Sequence, residues 1–233
     1  MNRVIEQPAA ATVPVEGSAA EFPVHRIYCV GQNYAEHVAE MGSPQGKPPV
    51  FFAKPADAVC TSATVPWPPM TENLHHEVEL VVALGEGGSD LSPEQARAGI
   101  FGYAVGVDLT RRDLQAAAKA RRAPWTLAKG FDHSAPISPV RPITDKAHPE
   151  AADINLAVNG LIRQQGNTAQ MIWPVPVLLA ELSRYFELRP GDLIFTGTPA
   201  GVGPLQPGDT VGCKVQGVGT LAFTMGQKTP PRE

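Results

Sequence analysis

The sequence predicts a mixed, strand-rich α+β fold. Three observations point there. In 233 residues there are 24 prolines and 22 glycines, which favours many turns and short elements over a helical bundle. Short β-branched and aromatic runs recur along the chain, and they outnumber the amphipathic helical stretches. Helical and extended stretches also alternate instead of falling into separate blocks.

Residues 1–20 are rich in Ala, Pro, Val and Glu without a sustained period, and read as a loosely ordered arm ahead of a single domain over 21–228. A strand is expected over 25–30, ending at Gly31. Asn33 is placed to cap a helix over 34–41, stopped by Gly42 and Pro44. Residues 43–49 read as a mobile loop, 50–53 as a strand, and the proline-rich 65–69 as an irregular connection. Strands are expected over 77–84 and 102–109, and helices over 93–98 and 111–121. Asn159-Gly160, between alternating apolar residues, supplies a two-residue type I′ turn for a hairpin over 154–163. An amphipathic helix follows over 176–186, closed by Arg189-Pro190-Gly191. A strand over 192–196 and a terminal hairpin over 210–224 complete the chain.

Hydrophobic residues make up 43% of the chain, enough for a substantial core without staples. The formal net charge of −4 is spread over both signs, so no basic patch argues for nucleic acid or an anionic membrane surface. No apolar run approaches the roughly 20 residues that a membrane span requires, and the first residues lack a secretory pattern. Cys29, Cys60 and Cys213 are odd in number and widely spaced, which fits a reducing cytoplasm.

Residues 74–80, Leu-His-His-Glu-Val-Glu-Leu, carry the most chemistry. Side chains alternate across a strand, so Glu77 and Glu79 share one face while Val78, Leu80 and Val82 pack behind. Two carboxylates held together on a half-buried face repel unless a cation lies between them, and Mg²⁺, Mn²⁺ and Ca²⁺ prefer carboxylate oxygens. A strand with one solvated face gives the same pattern. Asp108 stands where the second strand stops, suited to a third ligand or to capping the helix that follows.

His37 and Glu40 are three apart on a predicted helix and share a face. A carboxylate beside an imidazole raises its basicity, as a water-activating base requires, although such pairs also decorate exposed helices. Lys129 is a lone cation in an apolar segment, able to stabilise an enolate or to reach water along its stem. Arg112 and Gln115 share a helix face just after Asp108. The glycine-rich stretch 196–203 lacks the ending of a nucleotide loop, and its amides and threonine hydroxyls suit a carboxylate.

Five stretches, taken together, resemble the fumarylacetoacetate hydrolase superfamily over about residues 22–225. They are Tyr28-Cys-Val-Gly-x-Asn-Tyr-Ala-x-His37, Leu74-His-His-Glu-x-Glu-Leu80, Asp108-Leu-Thr-x-Arg-Asp-x-Gln115, Trp125-x-x-Ala-Lys129 and Thr196-Gly-Thr-Pro-x-Gly-Val-Gly203. Ala128-Lys-Gly-Phe-Asp132 and Arg163-Gln-Gln-Gly-x-x-x-Gln170-Met-Ile-Trp173 are most similar to its fumarylpyruvate hydrolase branch, which serves gentisate-type aromatic degradation.

The resemblance implies a rolled mixed β-sheet, usually in a homodimer, with Mg²⁺ or Mn²⁺ held by Glu77, Glu79 and Asp108. It implies a His37–Glu40 dyad on a segment that orders as a lid, and contacts to a small acylpyruvate from Arg112, Gln115, Lys129 and Thr198. The implied reaction is hydrolysis of a C–C bond, 3-fumarylpyruvate to fumarate and pyruvate. Oxaloacetate decarboxylation or oxo-acid isomerisation would use the same site, and a non-catalytic oxo-acid binder is the alternative of another class. One position departs from the family pattern: Gln32 stands where the family has arginine, removing a fork suited to a substrate carboxylate.

Overall fold

The computed structural model describes residues 4–6, 9–40, 48–143 and 147–228. Its centre is a six-stranded mixed sheet in the order Arg141–Pro142, Ile100–Val107, Val78–Leu84, Asp192–Phe195, Arg26–Gly31 and Val50–Lys54. Only Asp192–Phe195 and Arg26–Gly31 run parallel; the other neighbours are antiparallel. A five-stranded sheet packs across it, made of Leu161–Asn167, Asp153–Val158, Thr210–Val215, Gly219–Met225 and Thr64–Val65.

The strand Val78–Leu84 is buried at every position. Its two faces meet different cores, as a central strand with both faces covered requires. Val78, Leu80, Val82 and Leu84 join the larger core, with Ile154, Leu156, Val211 and Phe223 of the five-stranded sheet. Val81 and Ala83 face a smaller core with Phe195, Ile137 and residues near the N-terminus. Glu77 and Glu79 share the parity of this second face.

Part of the stretch read as a loosely ordered arm is built into that second core. Thr12–Pro14 pairs antiparallel with Glu21–Pro23, and Val13 is fully buried. Its short Val-Pro-Val pattern is too brief to show a period, which is why the sequence alone left it unstructured. Other elements lie close to expectation: helices at Pro93–Ala98 and Arg112–Ala120, and the hairpin of Asp153–Val158 with Leu161–Asn167. That hairpin turns on Asn159 and Gly160, at φ 52° and 78°, the left-handed pair a type I′ turn needs. The expected strand over 77–84 is interrupted at Glu77, because Leu74–His76 pairs instead with Thr110–Arg111 and Gly203–Pro204.

The helix expected over 34–41 is Ala35–Glu40; its predicted stop and most of the loop over 43–49 fall outside the described residues. Asn33 does other work than capping it. Fully buried, it donates to the carbonyls of Trp173 and Thr196 and accepts from the Trp173 amide, tying three segments together. A short helix, Thr126–Lys129, was not anticipated. The three cysteines are free and buried. Among the described residues, no helix is long and apolar enough to cross a membrane.

Gly106 sits opposite Glu79 in the ladder that sets the site's register. A Cβ there would meet Phe195 Cε1 at 2.5 Å and a Val81 methyl at 2.6 Å, both fully buried. Gly106→Ala should therefore cost about 2–3 kcal/mol through overpacking, lowering Tm by roughly 5–10 °C for a chain of this size. Thermal unfolding of a Gly106→Ala protein as stable as the parent would contradict this packing.

Candidate active site

Register brings three carboxylates together. Val78 pairs with Val107, and the ladder continues one step as the Asp108 amide donates to the Glu77 carbonyl at 2.8 Å. Asp108 thereby lands beside Glu77 on the face that also carries Glu79. One carboxylate oxygen from each lies within 4.8 Å of the others, and all three residues are buried. Asp108 does not cap the following helix, whose N-cap is Arg111 without a side-chain bond. The half-solvated strand is excluded by the burial of the whole run.

Three cations answer these charges. Lys129 Nζ donates to Glu77 at 2.8 Å, Asp108 at 2.5 Å and the Thr110 hydroxyl at 2.6 Å, using all three of its N–H bonds. Arg112 donates to the other Glu77 oxygen at 2.5 Å and to Gln115 at 2.6 Å. Lys54, missed in the sequence, lies 2.8 Å from Asp108 Oδ1 and donates to the carbonyls of Leu109 and Lys129. Its sequence signal was the one that drew attention to Lys129, a lone cation closing an apolar run. The Lys54 contact lacks hydrogen-bond alignment, so Asp108 Oδ1 is buried with no hydrogen bond of its own.

The balance is uneven. Burial alone would push Glu77 up, but Lys129 and Arg112 outweigh it and hold its carboxyl well below the usual range. Burial would lower Lys129, yet Asp108 and Glu77 hold it above its ordinary value. Glu79 is the exception. Burial, then Asp108 and Glu77, push its carboxyl well above the ordinary range, and its one strong bond is from the Gly197 amide at 2.7 Å. No lysine or arginine among the described residues forms an ion pair with it. A divalent cation ligated by oxygen fits this donor set: it would meet Asp108 Oδ1, which accepts no hydrogen bond among the described residues, and relieve Glu79.

Gln32, His37, Glu77, Glu79, Asp108, Arg112, Gln115, Lys129 and Thr198 all line one cavity of about 30 Å³. Glu40, the remaining residue singled out from the sequence, reaches it through His37, whose Nδ1 lies 3.0 Å from the Glu40 carboxylate. Glu40 in turn accepts from the Gly201 amide at 3.1 Å, docking the short helix Ala35–Glu40 onto the glycine-rich loop. An ionised carboxylate only accepts, so His37 carries its proton on Nδ1 and turns a basic Nε2 elsewhere. Gln32, at φ 65°, holds a left-handed conformation uncommon outside glycine. Lys119 also lines the cavity. Its ammonium lies 5.4 Å over the Trp125 ring and makes no ion pair among the described residues. Sequence reasoning passed over it because an exposed helical lysine carries no distinguishing pattern.

The fumarylacetoacetate (FAA) hydrolase C-terminal family matches residues 26–225. The chain belongs to this family. A crystal structure of fumarylpyruvate hydrolase from Pseudomonas aeruginosa in complex with Mn²⁺ and pyruvate is 45% identical, with a TM-score of 0.95, covering 97% of this chain and 100% of that one. A putative fumarylpyruvate hydrolase from Burkholderia cenocepacia is 53% identical, with a TM-score of 0.92 over 98% of this chain and 96% of that one. An oxaloacetate tautomerase of Escherichia coli is 43% identical over 83% of this chain and 90% of its own length. The family is enzymatic, its named relatives including hydrolases and tautomerases, and its rolled, strand-rich α+β fold is the one described above.

The raised Glu79 carboxyl has a signature in stability. Because its folded value exceeds the ordinary 4.5, its contribution is fully present below 4.5 and is lost as pH rises through the folded value. Glu77, held low, acts only on the acid side of 4.5. Metal-free protein should therefore lose stability relative to Glu79→Gln as pH climbs above 4.5, against an opposing gain from His75, which burial lowers to about 4. Saturating Mn²⁺ should remove that relative loss, adding about 2.7 kcal/mol at a hundredfold excess over Kd. Glu79→Gln should remove its own falling component from the metal-free profile, leaving the rise with pH that the lowered His75 and His76 impose, and abolish the Mn²⁺ effect. Urea midpoints against pH, with and without Mn²⁺, measure both; an unchanged slope in Glu79→Gln would contradict the reading.

Proposed function

We propose that this chain is a divalent-metal-dependent enzyme that hydrolyses the C–C bond of an acylpyruvate, 3-fumarylpyruvate to fumarate and pyruvate. One observation carries the reading: a buried cluster of three carboxylates in which Lys54, Lys129 and Arg112 pair with Glu77 and Asp108 and leave Glu79 without a cation among the described residues, with the His37–Glu40 pair closed over it. With Glu79 ionised by a bound cation, the three carboxylates and three basic side chains sum to zero, so a divalent ion leaves the site two positive charges, while Glu40 and Lys119 at the rim cancel. Such a site suits a doubly anionic oxo-acid. The 45% identical relative bound to Mn²⁺ and pyruvate supports the same class.

Glu77, Glu79 and Asp108 would hold Mg²⁺ or Mn²⁺, which supplies a Lewis acid for the 2-oxo group. Arg112, Gln115 and the Thr198 hydroxyl orient the oxo-acid end. His37 Nε2 takes a proton from water, and Glu40 fixes the ring and offsets the imidazolium charge. The water oxygen bonds to the distal acyl carbon, and the bond from that carbon to the methylene breaks. Its electron pair passes to the pyruvate enolate, which takes a proton from the His37 imidazolium. Lys129 stabilises that developing charge from a fixed position. Lys119, with Gln32 in place of the family arginine, would receive the distal carboxylate. A cavity of about 30 Å³ holds little more than one water, so the Ala35–Glu40 helix would lift to admit substrate.

Oxaloacetate tautomerisation or decarboxylation is the second reading, favoured by the 43% identical oxaloacetate tautomerase. It uses the same enolate and the same two carboxylates, so only turnover separates them. Homodimer assembly belongs to the same proposal.

A side-by-side assay of fumarylpyruvate, acetylpyruvate and oxaloacetate with Mg²⁺ or Mn²⁺ tests the reading. Fumarylpyruvate should turn over fastest, chelation should abolish activity, and His37→Ala should lower kcat by about 10²–10⁴ while Mn²⁺ still binds. Lys119→Met should raise KM for fumarylpyruvate about tenfold, the worth of one screened ion pair near 1.4 kcal/mol, and leave acetylpyruvate unchanged. Turnover surviving chelation or His37→Ala would defeat the hydrolase; oxo-acid binding without turnover would leave a binding protein.

A further inference from the structure

Gln164 is fully buried, yet it lies in a strand whose other positions are exposed or half-buried. A bulge explains its direction. Ile162 pairs with Ala157 but Gln164 pairs with Leu156, so Arg163 is the extra residue and Gln164 turns inward with Leu156.

Backbone groups at both ends fix the orientation of its amide. The Val78 N–H can only donate, and it donates to Gln164 Oε1 at 3.0 Å. The Pro199 carbonyl can only accept, and it accepts from Gln164 Nε2 at 2.9 Å. The second Nε2 proton therefore goes to Thr198 Oγ1 at 2.7 Å. A hydroxyl that accepts in this way keeps its own proton for another partner. No side chain or carbonyl among the described residues takes it, and Thr198 lines the cavity beside the carboxylate cluster.

The amide orientation also constrains His76. His76 Nδ1 lies 2.9 Å from Gln164 Oε1, an acceptor, so His76 must carry a proton on Nδ1. Close packing holds the assembly: a Cβ on Gly166 would lie 2.7 Å from Pro199, and one on Gly201 would collide with the Arg163 carbonyl.

We propose that Gln164 is a positioning residue that makes the Thr198 hydroxyl a one-way hydrogen-bond donor into the cavity, so that the site accepts a carboxylate oxygen there. The inference rests on the oxo-acid reading above and identifies what enforces it. Gln164→Glu reverses the wiring, because a carboxylate draws the Thr198 proton to itself and turns lone pairs on the ligand. Gln164→Met removes the wiring without reversing it.

Oxalate binding at saturating Mn²⁺, measured by calorimetry, tests the proposal. Gln164→Glu should weaken oxalate about tenfold or more, the scale of one hydrogen bond to a charged group, and Gln164→Met by less. Mn²⁺ affinity and far-ultraviolet dichroism should stay as in the parent. Combined with Thr198→Val, Gln164→Glu should add no further loss, since it acts through that hydroxyl. Undiminished oxalate affinity in folded Gln164→Glu, or losses that multiply in the double variant, would overturn the proposal. Nitrogen-15 NMR of His76 gives a ligand-free check. A protonated Nδ1 supports the wiring and a bare Nδ1 overturns it, even if the parent fails to bind oxalate and the functional reading falls.

Discussion

Everything at this site follows from placing three carboxylates on one dry face of a β-sheet. At separations up to 4.8 Å, each pair of like charges repels by about 3–4 kcal/mol at an effective dielectric constant near 20. The fold meets that repulsion with three buried or half-buried cations directed mainly at Glu77 and Asp108. Glu79 is left with a backbone amide. A chain that only needed to be stable would have apolar residues here. Unrelieved charge in a cleft, with a histidine–glutamate pair closed above it, marks a place built to receive something positive.

One loop serves every part of this arrangement. Gly197 donates to Glu79, Thr198 faces the cavity, and Gly201 donates to Glu40. The loop is held by Gln164 from one sheet and by the pairing of Gly203 with His76 on the other side. Gly197 and Gly201 adopt φ of 97° and 93°, and a side chain at either would also collide with neighbouring atoms. Ligand, base and substrate donor are thus coupled through one rigid segment, and closure of the Ala35–Glu40 helix onto it sets the position of His37.

Much of this was legible in the sequence, for reasons that differ by residue. Glu77 and Glu79 were readable because strand alternation is local, and the His37–Glu40 pair because helical spacing is local. Asp108 was not readable in that way: its face depends on register with another strand, and the family resemblance supplied the connection. Lys54, Lys119 and Gln164 were missed because what each one does depends on residues distant in sequence: Lys54 closes an apolar run and Gln164 stands in a stretch that resembles the family, but neither pattern names a partner. Lys54 matters through Asp108, 54 positions away, and Gln164 through a bulge that only pairing creates. Asn33 looked like a helix cap because the preference for Asn at that position is strong, but three distant backbone groups compete for its amide more effectively. The strand Thr12–Pro14 was invisible for the same reason, as its partner lies across a turn in a stretch with no period of its own.

Anomalous diffraction from crystals grown with Mn²⁺ and oxalate tests whether the three carboxylates hold one divalent cation. A single strong peak is expected within bonding distance, roughly 2.0–2.3 Å, of one oxygen each from Glu77, Glu79 and Asp108, with oxalate on its open side facing Thr198. A well-ordered site with no peak there, and Lys129 alone still bridging Glu77 and Asp108, would contradict it.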